Sequence, residues 1–313
     1  MNNSIRKSTQ KMDKFNEKKV EDNLNLERKH KICIFVRSSF IRWFTKPSFI
    51  MKRILLLCAV ALLAVACDKD EPAQDTNNNT NPSDTTHTEY PPTQEMIYNA
   101  VTDIDGNSYD AVLIGSQVWM ASNLRTTRYA NGDSIPEKDT VSAIDPCRYA
   151  PSTDVATYGY LYNWQAVMHG EPTSSHNPSG VQGICPDGWH VPSDAEWTQL
   201  ISYCGNYSVY VCNGIEKNIA KSLAAEYGWQ PYEYNECAVG NNQSTNNTIG
   251  FGALPAGNYG GSFSNFGNNA YYWSATGHSS SDSYYRCLYY NSTSVSRSYS
   301  ITEFGFSVRC VRD

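Results

Sequence analysis

Apolar positions along the chain fall into three patterns. Between Ile54 and Ala66 they run unbroken, ILLLCAVALLAVA, behind Lys52-Arg53. Thirteen residues reach only about 20 Å as a helix, short of the roughly 30 Å hydrocarbon core, so the run reads as a cleaved export leader and not a span. In TDIDGNSYDAVLIGSQVWMASNL the pattern becomes alternation: Asp105-Gly106 is a two-residue turn signal, followed by Val112, Ile114 and Val118, which predicts a β-hairpin. Helical periodicity appears after Pro192. Ser193 is a good N-cap, Glu196 stands three residues on, and Trp197, Leu200 and Ile201 form an i, i+3, i+4 stripe, so a capping box opens an amphipathic helix. Asp194 and Glu196 fall in its first turn, where the helix dipole favours negative charge. A second helix is predicted from about Ile215 to Tyr227, ended by Gly228. Three strand-like runs, AYYWSAT at 270–276, SYYRCLYY at 283–290 and FGFSVRCVRD at 304–313, are separated by Gly, Asn and Ser and predict a closing antiparallel meander. The expected class is α+β, with an N-terminal β-hairpin, two main helices and a C-terminal meander.

Charge divides this picture in two. Residues 1–66 carry fourteen Lys and Arg against five Asp and Glu, +9, whereas the remainder carries eleven against twenty-six, −15, giving −6 overall. Ala64 and Ala66 before Cys67 resemble the lipobox of bacterial lipoproteins, with Ala64 where Leu is usual. In that family the cysteine is diacylated and becomes the new N-terminus, which implies Cys67 as lipid attachment site and the outer membrane as location. The DKDE behind Cys67 resembles the surface-export signal of Bacteroidetes lipoproteins, which implies display at the cell surface. Met51-Lys52-Arg53 is a complete leader start, so residues 1–50 read as a start assigned too early or as a basic extension. Residues 51–66 are then the signal peptide, and residues 67–95, rich in Asp, Asn, Thr and Pro, a disordered tether. Residues 96–313 remain as one folded domain.

That domain holds six of the seven tryptophans and all but one of the 22 tyrosines, with few cations, so nucleic acid is a poor partner. Tyrosine-rich surfaces suit sugars or proteins, because the ring supplies apolar area while its hydroxyl stays hydrated. The DIDG stretch lacks a calcium loop's closing acid: the twelfth position from Asp103 is Ile114. His190 has no second His or Cys at ligand spacing, so no metal is expected. No Gly-x-Ser-x-Gly, His-Glu-x-x-His or phosphate-cradling loop occurs, so neither catalysis nor a cofactor is expected.

Six ordered stretches, GNSYDAVLIGSQVWMASNLR, YGYLYNWQAV, GICPDGWHVPSDAEW, GFGALPAGNY, YYWSAT and GFSVRCVRD, resemble the Fibrobacter succinogenes major paralogous domain over about 98–313. The resemblance implies a C-type-lectin-like fold, distantly similar to formylglycine-generating sulfatase-modifying domains, on an exported lipoprotein. It also implies a disulfide between Cys185 and Cys310, which belong to two of these motifs. Cys204 with either Cys212 or Cys237 stays open. Formylglycine-generating enzymes work through a cysteine pair, whereas here Cys287 is alone and Ser292 stands where a partner would be. The lectin calcium motif is also incomplete, since Glu171-Pro172 is followed by Thr173 and no Trp-Asn-Asp occurs. Stacking on loop aromatics is the expected contact mode, through Trp229, Tyr232, Tyr234, Tyr259 and Phe263. The expected function is non-catalytic recognition of a glycan or surface protein by a lipid-anchored protein. The alternative is a structural or adhesin subunit of a surface assembly or pilus, ahead of a formylglycine-generating-type oxidoreductase.

Overall fold

The computed structural model describes residues 94–151 and 154–313. The expected leader, the expected lipid site Cys67 and nearly all of the expected tether lie outside the described residues. In chain order the elements are β1 Met96–Thr102, β2 Ser108–Ile114, β3 Gln117–Met120, β4 Arg148–Tyr149, α1 Val155–Tyr158, β5 Leu161–Tyr162, α2 Trp164–Met168, β6 Trp189–His190, α3 Asp194–Gly205 and α4 Ala220–Leu223. There follow β7 Asn258–Tyr259, β8 Phe263–Ser264, β9 Asn269–Gly277, β10 Asp282–Tyr289, β11 Ser296–Ile301 and β12 Val311–Arg312.

The predicted hairpin is β1 and β2, paired antiparallel around the Asp105-Gly106 turn. Its acids serve that turn. Asp103 Oδ1 accepts the Asp105 and Asn107 N–H groups at 3.0 and 2.9 Å, and its Oδ2 accepts the Tyr109 hydroxyl at 2.6 Å. Asp105 pins the next loop, accepting the Thr127 hydroxyl at 2.9 Å and Arg128 Nε at 2.7 Å. Burial opposes ionisation of Asp105, but the Thr127 N–H, Arg128 and two hydroxyls hold its pKa down at about 2.

β2 and β3 are covered on both faces. Their register sets Ala111 opposite Met120 and Val112 opposite Trp119. Period-two alternation therefore sends Ala111, Val118 and Met120 into one buried cluster with Leu124, Val167 and Val308. Val112, Ile114 and Trp119 enter a second cluster with Trp197, Phe251 and Tyr272. The last strand, β12, inserts between β3 and β6, giving the sheet order β1-β2-β3-β12-β6. Helix α3 begins with the predicted capping box, both halves formed by Ser193 and Glu196. Trp197 packs on Trp119 at a centroid distance of 4.6 Å.

Two elements differ from expectation. The second helix is four residues, Ala220–Leu223, and not the run from Ile215 to Tyr227. Upstream, the Cys212–Cys237 disulfide and left-handed Asn213 (φ 56) hold an irregular turn. Downstream, the chain leaves the helix to pair with the segment at Ala253: the Ala253 N–H donates to Leu223 O and the Ala225 N–H to Ala253 O, both at 2.8 Å. Tertiary pairing overrides a good helical composition here. Hence one main helix, α3, replaces the expected two.

The meander is real, but its third strand is β11, in the order β11-β10-β9. Residues 304–310 make only isolated bridges, such as Tyr162 with Phe306 and Tyr272 with Ser307, before β12 joins the other sheet. The polar alternation of β11, RSYS, concealed an edge strand, while the apolar run FGFSV, buried from Gly305 onward, crosses between the sheets. The described residues thus form an α+β domain with mostly antiparallel sheets.

Candidate functional site

The residues with the most reactive appearance sit at the junction of β6 and α3. His190 places Nε2 2.7 Å from Glu196 Oε1 and Nδ1 2.7 Å from Asp313 Oδ1. The other Glu196 oxygen accepts the Ser193 and Ser179 N–H groups at 2.9 and 3.1 Å. His190 and Glu196 are buried, and only Asp313 reaches solvent, beside a recess of about 310 Å³. Burial works against protonating His190, but hydrogen bonds to Glu196 and Asp313 and their charge outweigh it and raise its pKa above the ordinary imidazole value. Both ring nitrogens are therefore engaged in holding the last residue to the first turn of α3. Asp194 faces elsewhere, accepting from Arg286 Nη2 at 2.7 Å and Arg297 Nε at 2.9 Å, so it clamps α3 to β10 and β11. His190, Asp194 and Glu196 therefore do not converge on one open cleft.

Cys185 and Cys310 are bonded, with Cα atoms 6.0 Å apart across 125 positions, tying the approach to α3 to the end of the chain. The second bond joins Cys212 to Cys237, so Cys204, open as a partner for either, is a buried free thiol with its pKa pushed up to about 12 by burial. Cys147 and Cys287 are also buried and free. Burial raises the Cys287 pKa far above the usual thiol value, which suppresses the thiolate that nucleophilic or metal chemistry requires.

The five expected contact aromatics separate by burial. Trp229 is 4% exposed and belongs to the second core cluster, its backbone held by Gln243 at 3.1 and 2.8 Å, so it is packing and not a contact platform. Tyr259 is likewise buried, stacked on Tyr149 at 4.0 Å with its hydroxyl donating to Asp139 O. The other three reach the surface. Tyr234 is 91% exposed and meets the edge of half-buried Tyr232 at 5.4 Å, which in turn meets Tyr290 at 5.8 Å. Phe263, 48% exposed, lies apart from this group in the β7–β8 ribbon against Tyr259. Loop composition signalled the segments. Which ring turned inward depended on neighbours distant in sequence.

A second aromatic feature was not anticipated. A cleft of about 430 Å³ opens along α2, lined by Tyr129, Ile144, Trp164, Gln165, His169 and Glu171 among others. Asn163 builds its wall. As N-cap of α2 its Oδ1 accepts the Ala166 N–H at 3.1 Å, and its amide donates to Ser142 O and Asp145 O at 3.0 and 2.8 Å, fastening the 142–145 loop to the helix. The Trp164 indole N–H donates to Ser274 O at 3.0 Å, which fixes the ring. The only sequence signal for this cleft was the stretch YGYLYNWQAV, which contains Trp164 and Gln165.

The model of one protein family, described as the Fibrobacter succinogenes major domain, matches residues 112–312. The chain belongs to that family. No curated protein and no solved structure matches the chain. The Fibrobacter succinogenes major domain here takes in the cleft, the Tyr232–Tyr234–Tyr290 group and both disulfides, while β1 precedes the matched span and completes the sheet by pairing with β2. No group of three His, Cys, Asp or Glu side chains arranged to hold a metal occurs among the described residues. Nor is any helix among them long and apolar enough to cross a membrane.

Proposed function

We propose that this protein is an exported lipoprotein, anchored through Cys67, whose tether presents one C-type-lectin-like domain for non-catalytic recognition of a glycan or surface protein. One contrast carries the reading: His190, Glu196, Asp194 and Cys287 are spent on internal contacts, while Tyr234 stands 91% exposed among aromatic neighbours. Exposed tyrosines on loops of a rigid scaffold supply rigid contact area with a hydrated edge. The lipobox-like Ala64-Val65-Ala66-Cys67 and the acidic tether support anchoring at the outer membrane, facing outward.

The test has two parts. Intact mass of the membrane-extracted protein should give a chain beginning at Cys67 with the added mass of a diacylglyceryl group. An unmodified chain retaining Met1 or Met51 would remove the anchor. A glycan array should then return selective sugar binding, or a membrane pull-down a specific protein whose contact is weakened by Tyr234→Ala. A protein that binds neither would sink the recognition role.

A second reading, a structural or adhesin subunit of a surface assembly, draws on β11. Among the described residues that strand has a sheet partner on one side only, and Tyr299 and Ile301 on it are 53% and 41% exposed. Such an edge offers backbone groups for strand addition. Co-purification as a stable multi-subunit complex, lost on β11 substitution with proline, would favour assembly over recognition.

A further inference from the structure

The cleft along α2 holds features that packing does not explain. Seven buried side-chain polar atoms are unpaired among the described residues, and two of them, Tyr129 Oη and Gln165 Oε1, belong to residues that line this one cleft. Tyr129 is only 3% exposed, so its bare hydroxyl is a liability to the fold, since buried polar groups are normally hydrogen-bonded. The Gln165 amide nitrogen donates to Ala143 O at 2.7 Å and Thr302 Oγ1 at 3.0 Å, which orients the amide and leaves its oxygen without a donor. A third feature is backbone strain. His169 ends α2 in the left-handed region (φ 50, ψ 36), a conformation glycine adopts without penalty, and its ring lies parallel on Tyr129 at 3.6 Å and 9°. Ile144, at the cleft, is 85% exposed.

These features describe a ligand. Flat rings suit an apolar ring face, Tyr129 Oη can both donate and accept, and Gln165 Oε1 accepts only, which together match neighbouring hydroxyl groups. No Lys or Arg lines the cleft, so it offers no counter-charge to phosphate or sulfate. Its volume of about 430 Å³ falls within the roughly 300–1,000 Å³ range of small-molecule sites. We infer that this cleft binds a neutral, hydroxyl-rich ring, a sugar unit of a glycan, stacked against Trp164 and His169 and hydrogen-bonded to Tyr129 Oη and Gln165 Oε1. The inference rests on the recognition function proposed above and gives it a location away from Tyr234.

The experiment titrates the full chain with neutral oligosaccharides ending in glucose, galactose, mannose or N-acetylglucosamine, comparing the parent with Tyr129→Phe, His169→Gly and Tyr234→Ala. At least one sugar should bind. Tyr129→Phe should weaken it roughly threefold to tenfold while leaving Tm unchanged or raised, because the lost hydroxyl serves the ligand and not the fold. His169→Gly should also weaken binding while raising Tm, since it relieves strain but removes a stacking ring. A merely structural role for these residues would lower Tm and leave affinity alone. Sugar binding lost in Tyr234→Ala but intact in Tyr129→Phe would overturn the cleft and keep the recognition function. Failure of the parent to bind any of these sugars would overturn the cleft assignment. A protein partner that depends on Tyr129 would overturn the sugar and retain recognition.

Discussion

The interior around Arg309 and the cleft along α2 treat polar groups in opposite ways. Arg309 is fully buried with no carboxylate partner among the described residues, yet its Nε donates to Asn123 Oδ1 at 2.8 Å, Nη1 to Met120 O at 3.0 Å and to Phe251 O, and Nη2 to Gly252 O at 2.8 Å. Its guanidinium also lies 4.6 Å from the Phe251 ring centre. Burial lowers its pKa, but the donors are matched to carbonyls that would themselves be stranded without them. Glu196 is similarly saturated, by His190 and two backbone N–H groups. Across the domain, the cleft keeps a buried hydroxyl and an amide oxygen unpaired beside a strained histidine. Groups matched inside report on stability. The unmatched pair beside the cleft is what the inferred sugar would satisfy.

That contrast can be broken at either end. The largest expected effect is at Arg309: replacement by Met removes the donors of three carbonyls and one amide, and should destabilise by about 3–5 kcal/mol in urea denaturation or prevent folding. An Arg309→Met protein within about 1 kcal/mol of the parent would show that the matched network contributes little. Next is the Cys185–Cys310 bond, which closes a loop of 125 positions; the double substitution to Ser should cost about 2–5 kcal/mol, read by the same denaturation.

A smaller effect depends on pH. Because the folded His190 pKa is raised, its contribution is complete below about 6.5, the value of the unfolded imidazole, and is lost as pH rises through the folded value. Stability of the parent should fall over that interval, while His190→Gln should start lower and show no such fall. Equal slopes for the two proteins would mean that His190 is neutral throughout. Smallest of all, Tyr129→Phe should change stability by no more than about 0.5 kcal/mol, or increase it. A loss of more than about 1 kcal/mol would show that the hydroxyl has a partner within the fold and would erase the contrast.

Legibility along the chain followed how local each cause was. The capping box at Ser193 and Glu196 and the Asp105-Gly106 turn were readable because their hydrogen bonds span two to four residues. Residues 215–227 were misread because strand pairing at Ala253 and the Cys212–Cys237 bond, both remote, cut the helix to four residues. The closing strand was misplaced for a related reason: FGFSV is apolar enough for a strand, but its neighbours are single bridges from three different segments. Among the contact aromatics, Trp229 and Tyr259 carry the same loop signature as Tyr234, and only the packing of Gln243 and Tyr149 against them separates core from surface.

The amino-acid sequence by itself determined the α+β class of the aromatic region, the start of α3, and membership of the family, because caps and motifs act within a few residues. Only the tertiary structure decided which polar groups are matched. Glu196 lies 6 positions from His190, which engages it, yet the last residue, Asp313, must fold back across 123 positions to reach the other ring nitrogen. Tyr129 and Gln165 acquire their common cleft only when α2 docks beside the 129 and 144–146 loops. Hydrogen bonding and burial are properties of assembled neighbours, and no stretch of chain carries them alone.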